Sequence, residues 1–180
     1  TPLTYKVKLL SVDTDMGVLV NGLMKHREGR MLCYGPPGTG KTEFARHLAA
    51  ELDVPLLEYR TSDILGPYVG MTEKKLADAF RRASEEGAVM LLDEIDSLLQ
   101  SRNNANHSWE VTQVNELLIQ MENYRGILIA CTNHKTVLDS AAARRFDLKI
   151  KFDYLHADAA WDLFQTVLKG YKNNHIRKMQ

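Results

Sequence analysis

Long apolar runs, clustered cysteines and an excess of either charge are all missing from this chain. No apolar run approaches the ~20 residues that a membrane-spanning helix needs. No charged-then-apolar leader opens the sequence, so a cytoplasmic protein without a membrane segment is expected. Lysine plus arginine total 23, and so do aspartate plus glutamate. That balance leaves no global field to steer in nucleic acid or an anionic membrane, and no nucleic-acid partner is expected. The one local basic cluster, Lys169, Lys172, His175, Arg177 and Lys178, reads as a solvated end. There are only two cysteines, Cys33 and Cys131, each inside an apolar run of strand type. They read as reduced, buried thiols and exclude a disulfide framework. The six histidines form no H-E-x-x-H, and no G-x-S-x-G presents a serine nucleophile; zinc-protease and serine-hydrolase chemistries therefore lack their residues.

What is present is alternation. The chain of 180 residues, 44% hydrophobic, can bury one core, so a single domain with at most a small appendage is expected. Runs of strand length recur at MLCY (31–34), PLLEY (55–59), AVMLL (88–92), ILIAC (127–131) and LKIKF (148–152). Helical stripes lie between them: Phe44, Leu48 and Leu52; Leu76, Phe80 and Ala83; Val111, Val114, Leu118 and Met121. A further stripe, Met16, Leu19, Val20, Leu23 and Met24, precedes the first run. Strand and helix alternating five times predicts an α/β fold with right-handed crossovers and a parallel sheet covered on both faces. The uniformly apolar AVMLL and ILIA suit central strands, and the alternating LKIKF suits an edge.

The first chemical motif follows the first strand. GPPGTGKT, comprising Gly35, Pro36, Pro37, Gly38, Thr39, Gly40, Lys41 and Thr42, satisfies G-x-x-x-x-G-K-[ST] between an apolar run and a helical stripe. Glycines there let the backbone curl so that successive N–H groups converge on phosphate oxygens, while the helix beginning near Lys41 points its positive end at them. Lys41 would reach the β- and γ-phosphates, and the Thr42 hydroxyl would ligate Mg²⁺.

Two further strands end in polar groups. AVMLLDEID delivers Asp93 and Glu94 at a carboxyl end, where open α/β sheets bind ligands. Asp93 would hold the magnesium, directly or through a water, and Glu94 would be the base acting on a water that attacks the γ-phosphate. In isolation such a pair reads as a helix N-cap; the phosphate loop reverses that. Asp96 reads as a helix cap or surface charge. ILIACTNH ends in Thr132 and Asn133, and Asn133 would orient the water and sense the γ-phosphate if its strand neighbours that of Glu94.

On these residues the chain resembles an AAA ATPase from about Leu10 to Leu168. GPPGTGKT and LLDEID are similar to Walker A and B of the AAA clade proper, ACTN to its sensor 1, and AAARRFD to its arginine-finger segment. The clade includes hexameric unfoldases and the spastin and katanin type. The resemblance implies a five-stranded parallel sheet in the order 5-1-4-3-2 over residues 1–154, with 155–180 as a first lid helix and basic tail. It implies ATP and Mg²⁺ as ligands, a homo-oligomer of hexameric ring type in the full-length protein, and a protein substrate.

The same resemblance gives a role to PYVGMTEKK, where an aromatic stands on a glycine-bearing segment with no apolar periodicity. Tyr68, Val69 and Gly70 match the pore loop that grips substrate in AAA rings; a flat aromatic can intercalate between side chains of an extended chain without reading its sequence. The bland alternative is an ordinary surface tyrosine. SRNNANHSW, with His107, would be a second pore loop. Arg144 and Arg145 would supply a guanidinium to a neighbouring subunit's nucleotide, with either as the finger, or else pair with Asp139 or Asp147. Only one amphipathic helix, with Ala160, Trp161, Phe164, Val167 and Leu168, follows the last strand in this sequence, as in a fragment of a longer protein or one with an abbreviated lid, and sensor 2 is not assigned. The expected function is a ring-forming ATPase that remodels proteins. Its rivals are a nucleic-acid remodeller, disfavoured by the charge balance, and a nucleotide switch with little turnover, disfavoured by Glu94 with Asn133.

Overall fold

The computed structural model describes residues 11–68, 70–96, 98, 99, 108–133, 140–165 and 168. Its parallel strands are β2 (Gly29–Tyr34), β3 (Leu56–Arg60), β4 (Val89–Asp93), β5 (Ile127–Thr132) and β6 (Leu148–Asp153). They pair in the order β6-β2-β5-β4-β3, which is the expected 5-1-4-3-2. Among the described residues the sheet nevertheless has six strands. β1 (Ser11–Val12) lies antiparallel on β6, with Val12 opposite Phe152. The sheet is therefore mixed, and β6 is not its outermost strand. Two residues carry no measurable periodicity, which is why the pattern omitted them. The alternation of β6 has another cause: Ile150 and Phe152 are fully buried, while Lys149 and Lys151 are exposed, because helices cover only one of its faces.

Side chains of a strand alternate between faces, and here each face meets its own helical layer. Met31, Cys33, Ile129, Cys131 and Ile150 share a core with Leu19 and Leu23 of α1 (Met16–His26) and Phe44 and Leu48 of α2 (Lys41–Glu51). Leu32, Tyr34, Leu92, Leu128 and Ala130 share the other with Leu76 and Phe80 of α4 (Met71–Glu86) and Leu117 and Met121 of α5 (Ser108–Asn123). Burying one such Leu or Phe contributes about 1.5–3 kcal/mol. β4 and β5 run through the middle of both cores, so Val89 to Leu92 and Ile127 to Cys131 are buried without interruption. α1 starts where Asp15 Oδ1 accepts from the Gly17 and Val18 amides at 2.9 and 3.2 Å. Of its expected stripe, Leu19 and Leu23 are buried, Val20 packs half-buried against the same core, and Met24 is 45% exposed.

Two short helices matter for the site, α3 (Thr61–Ile64) directly after β3 and α6 (Ser140–Ala143) before β6. A further helix, α7, runs over 157–165 and carries Trp161 and Phe164, exposed and stacked with centroids 5.6 Å apart. Among the described residues no helix is long and apolar enough to cross a membrane.

Candidate active site

The carboxyl ends of β2, β5 and β4 stand side by side and feed one cleft of about 330 Å³, lined by Pro37, Gly38, Gly40, Lys41, Thr42, Glu43, Asp93, Glu94 and Asn133. That falls in the usual range for ligand sites, roughly 300–1,000 Å³. A second cavity, about 260 Å³, opens at the opposite end beside Arg27, Val54, Tyr124 and Gly126, away from the strand ends where sheets of this class bind ligands.

The loop after β2 is shaped by its first glycine. Gly35 has φ +144°, and a Cβ on it would lie 1.9 Å from the Phe152 carbonyl oxygen on neighbouring β6. No side chain fits there unless a strand moves. The turn then enters α2 at Lys41 with Gly40 as N-cap. Because Gly40 caps with no side chain, the first-turn amides of this 11-residue helix face the cleft without a competing oxygen, as an anion site requires.

Lys41 is 7% exposed. Its Nζ donates to the Gly35 and Pro36 carbonyls, both at 2.8 Å, and to Asn133 Oδ1 at 2.9 Å. These three acceptors match the three donors of an ammonium. Burial holds its pKa below the ordinary lysine value, against the opposing pull of the Asp93 carboxylate. Cys33 and Cys131 sit in register on β2 and β5 beneath it. The Cys33 side chain, together with burial, pushes the Cys131 thiol well up, so Cys131 is a buried protonated thiol.

Asp93 is the hub of the acidic side. Its Oδ2 accepts from Thr42 Oγ1 at 2.8 Å and its Oδ1 from the Glu94 amide at 2.9 Å. Its carbonyl accepts from Thr61 Oγ1 at 3.1 Å. The Ile95 amide donates to the Cys131 carbonyl at 3.0 Å. Between these anchors Glu94 adopts φ +58°, a left-handed conformation costing a non-glycine residue about 1–2 kcal/mol. Such strain concentrates at functional positions. The Glu94 side chain is exposed at the cleft.

Lys41, Thr42, Asp93 and Glu94 converge, and β4 and β5 are neighbours, as the argument for Asn133 required. Asn133 Oδ1 itself accepts from the Lys41 ammonium. Two residues went unnoticed in the sequence. Glu43 lines the cleft with Oε1 on Arg46 and Oε2 buried, the latter without a hydrogen-bond partner among the described residues; Arg46 also grips Glu58 at 2.8 Å. Thr61 is 3% exposed. Neither belongs to a motif, and only the adjacency of Glu43 to Thr42 offered a signal.

The donor set fits a magnesium nucleotide. A buried ammonium, open helix amides and a loop that excludes a Cβ suit phosphate oxygens. The hydroxyl of Thr42 and the carboxylate of Asp93 offer Mg²⁺ the oxygen ligands it prefers.

The remaining expected residues lie apart from the cleft. Tyr68 is 75% exposed, its carbonyl accepting from the Met71 amide at 3.1 Å, and Gly70 caps α4 with φ +82°. Val69 and His107 fall outside the described residues. Past α6, Arg145 pairs with Glu122 at 2.9 Å. Arg144 is exposed and makes no ion pair among the described residues. Asp147, offered as an alternative partner for the two, is taken by Arg30 in a bidentate contact at 3.0 and 3.1 Å; Asp139 lies outside the described residues.

Comparison with known proteins agrees with this geometry. The model of the ATPase family associated with various cellular activities (AAA) matches residues 31–154. The chain is 34% identical over 150 residues to Protein SUPPRESSOR OF K(+) TRANSPORT GROWTH DEFECT 1 of Arabidopsis thaliana, covering 79% of this chain and 34% of that protein. It is 33% identical over 159 residues to the ATP-dependent zinc metalloprotease FtsH of Marinobacter nauticus, covering 83% and 24%. It therefore spans a quarter to a third of the length of these relatives. The crystal structure of the FIGL-1 AAA domain in complex with ADP superposes with a TM-score of 0.68 at 23% identity, covering 91% of this chain and 64% of the other; at that identity the likeness speaks to fold.

Proposed function

The chain belongs to the ATPase family associated with various cellular activities, and from that membership we propose that it binds ATP with Mg²⁺ in the cleft and hydrolyses the γ-phosphate. One observation carries this reading. Three neighbouring strands deliver a buried ammonium, a hydroxyl–carboxylate pair and an amide to a single glycine-shaped cleft. Gly35 to Thr42 would wrap the phosphates, and Lys41 would exchange its loop carbonyls for phosphate oxygens. Thr42 and Asp93 would hold Mg²⁺, with Asp93 bound directly or through a water. The metal, when bound, neutralises charge on the β- and γ-oxygens. Glu94, exposed at the cleft, would take the proton of the attacking water. Asn133, released from Lys41, would orient that water.

Hydrolysis would be completed between subunits of a homo-oligomeric ring. Arg144 is the better finger, because Arg145 is already committed to Glu122. A guanidinium supplied in this way is worth about 10³–10⁵ in rate. Tyr68, exposed beside Gly70, would with Val69 grip an extended protein substrate at the ring's pore. Residues 1–154 would form the nucleotide-binding subdomain, with 155–180 beginning a lid. α7 supports that division, since its Trp161 and Phe164 stay exposed at 59% and 51%, a face that suits further helices.

Calorimetric titration tests the core of this reading. The chain should take up ATP in the presence of Mg²⁺, and Glu94→Gln should bind with the same affinity. In an assembled protein Glu94→Gln should release phosphate at least ~10²-fold more slowly. No Mg²⁺-dependent uptake at millimolar ATP would refute nucleotide binding, and parent-rate hydrolysis by Glu94→Gln would remove the base.

A further inference from the structure

We propose that Thr61 is a positioning residue that ties the nucleotide cleft to the Tyr68 segment, so that the state of Asp93 is felt at Tyr68. This rests on the nucleotide reading above and adds to it a physical route.

The route alternates hydrogen bonds with short stretches of covalent backbone. Asp93 faces two ways: its carboxylate takes the Thr42 hydroxyl in the cleft, and its carbonyl takes the Thr61 hydroxyl behind it. Thr61 opens α3, and the Leu65 amide closes that helix on the Thr61 carbonyl at 2.9 Å. Lys75 Nζ, reaching from α4, donates to the carbonyls of Asp63 at 2.9 Å and Leu65 at 3.4 Å. The Gly66 amide donates to Thr72 Oγ1 at 3.0 Å. The segment then turns through Tyr68, whose carbonyl receives the Met71 amide at 3.1 Å.

Burial separates this route from an ordinary surface turn. Thr61, Ile64 and Thr72 are 3%, 4% and 0% exposed, whereas Tyr68 between them is 75% exposed. Packed interiors transmit displacement because they have no free volume to absorb it. A Cβ on Gly66 would meet the Met71 side chain at 2.7 Å, so the two arms of the segment are already in contact. The exposed tyrosine is thus mounted on a braced platform whose inner end is the Asp93 carbonyl. A change in what the Asp93 carboxylate binds has Thr61 as its hydrogen-bonded exit toward that platform.

Amide hydrogen exchange on the full chain, read by NMR with and without Mg-ATP, tests the proposal. Exchange sees local opening directly. In the parent, ATP should protect Gly38, Gly40 and Lys41 and also change the exchange of Leu65, Gly66 and Met71 by roughly fivefold or more. Thr61→Val, which keeps the shape and loses the hydroxyl, should retain the first effect and lose the second, and Thr61→Ser should restore it. If Thr61→Val fails to fold, Lys75→Met makes the same comparison further along the route. Retention of the distal change in either variant, or its absence in a parent that binds ATP, overturns the proposal. Absence of protection at Gly38 to Lys41 in the parent would instead remove the nucleotide reading on which it rests.

Discussion

Replacing Lys41 by methionine should separate binding from folding. The ammonium is held in the free protein by the Gly35 and Pro36 carbonyls and Asn133, and its depressed pKa shows that burial works against its charge. Methionine fills similar volume and removes that desolvation penalty. Of the three abandoned acceptors, Asn133 lines the cleft and Gly35 and Pro36 are half-buried, so water can replace the donor. The two effects oppose each other, so the net change in stability should stay within about 1 kcal/mol. For a chain of this length that is a shift in Tm of about 2–4 °C. Binding should behave otherwise. Two charge-assisted contacts to phosphate, at about 1.5–3 kcal/mol each, sum to about 3–6 kcal/mol, or ~10²–10⁴ in affinity. Thermal unfolding reads both quantities. Mg-ATP at a hundred times its Kd should stabilise the parent by about 2.7 kcal/mol, about 5–11 °C, and the same concentration should move the variant's Tm by no more than about 2 °C. A variant that keeps more than half of the ligand-induced shift would show that Lys41 does not serve the phosphates. A ligand-free Tm lowered by more than about 8 °C would show instead that Lys41 is a structural strut.

Gly35→Ala should cost about 2–4 kcal/mol, because its Cβ would stand 1.9 Å from the Phe152 carbonyl oxygen; an unchanged urea midpoint would contradict the packing. Tyr124 donates to the Ala88 carbonyl at 3.1 Å, and burial raises its pKa to about 12. The unfolded phenol ionises near 10, so protons leave the unfolded state first and stability should fall as pH rises from 10 to 12. Tyr124→Phe should remove this part of the alkaline slope at a cost of about 1 kcal/mol near neutrality, and parallel slopes in urea titrations of the two proteins would refute it. Arg145→Ala should lose under about 1 kcal/mol with its Glu122 pair. Arg144→Ala should leave stability alone but slow hydrolysis in the assembled protein by about 10³–10⁵; parent-rate hydrolysis would remove Arg144 as the finger.

That β4 and β5 are central was legible because Val89 to Leu92 and Ile127 to Cys131 are apolar throughout, which only strands covered on both faces can be; the full strand order followed from the family resemblance. The phosphate loop was legible for a different reason: its parts are consecutive, and the strand before and helix after it are local patterns. β1 escaped because two residues have no period. Glu43 escaped because its significance lies in an oxygen left buried beside the cleft, a fact of packing.

Thr61 and Asp147 illustrate a third kind of invisibility. The hydroxyl of Thr61 meets the Asp93 carbonyl across 32 residues, and Arg30 meets Asp147 across 117. Each contact exists only because the sheet sets a register: Arg60 lies opposite Asp93, and Met31 opposite Leu148. A slip of one position would turn every side chain of the strand to the other face, carrying both contacts away while leaving each motif intact in sequence. The chemistry of this site is therefore encoded twice, locally in the residues that follow each strand and non-locally in the registers that bring those strand ends level. Conservative changes that slide β3 against β4 should consequently disconnect Asp93 from α3 without touching any residue of the phosphate loop.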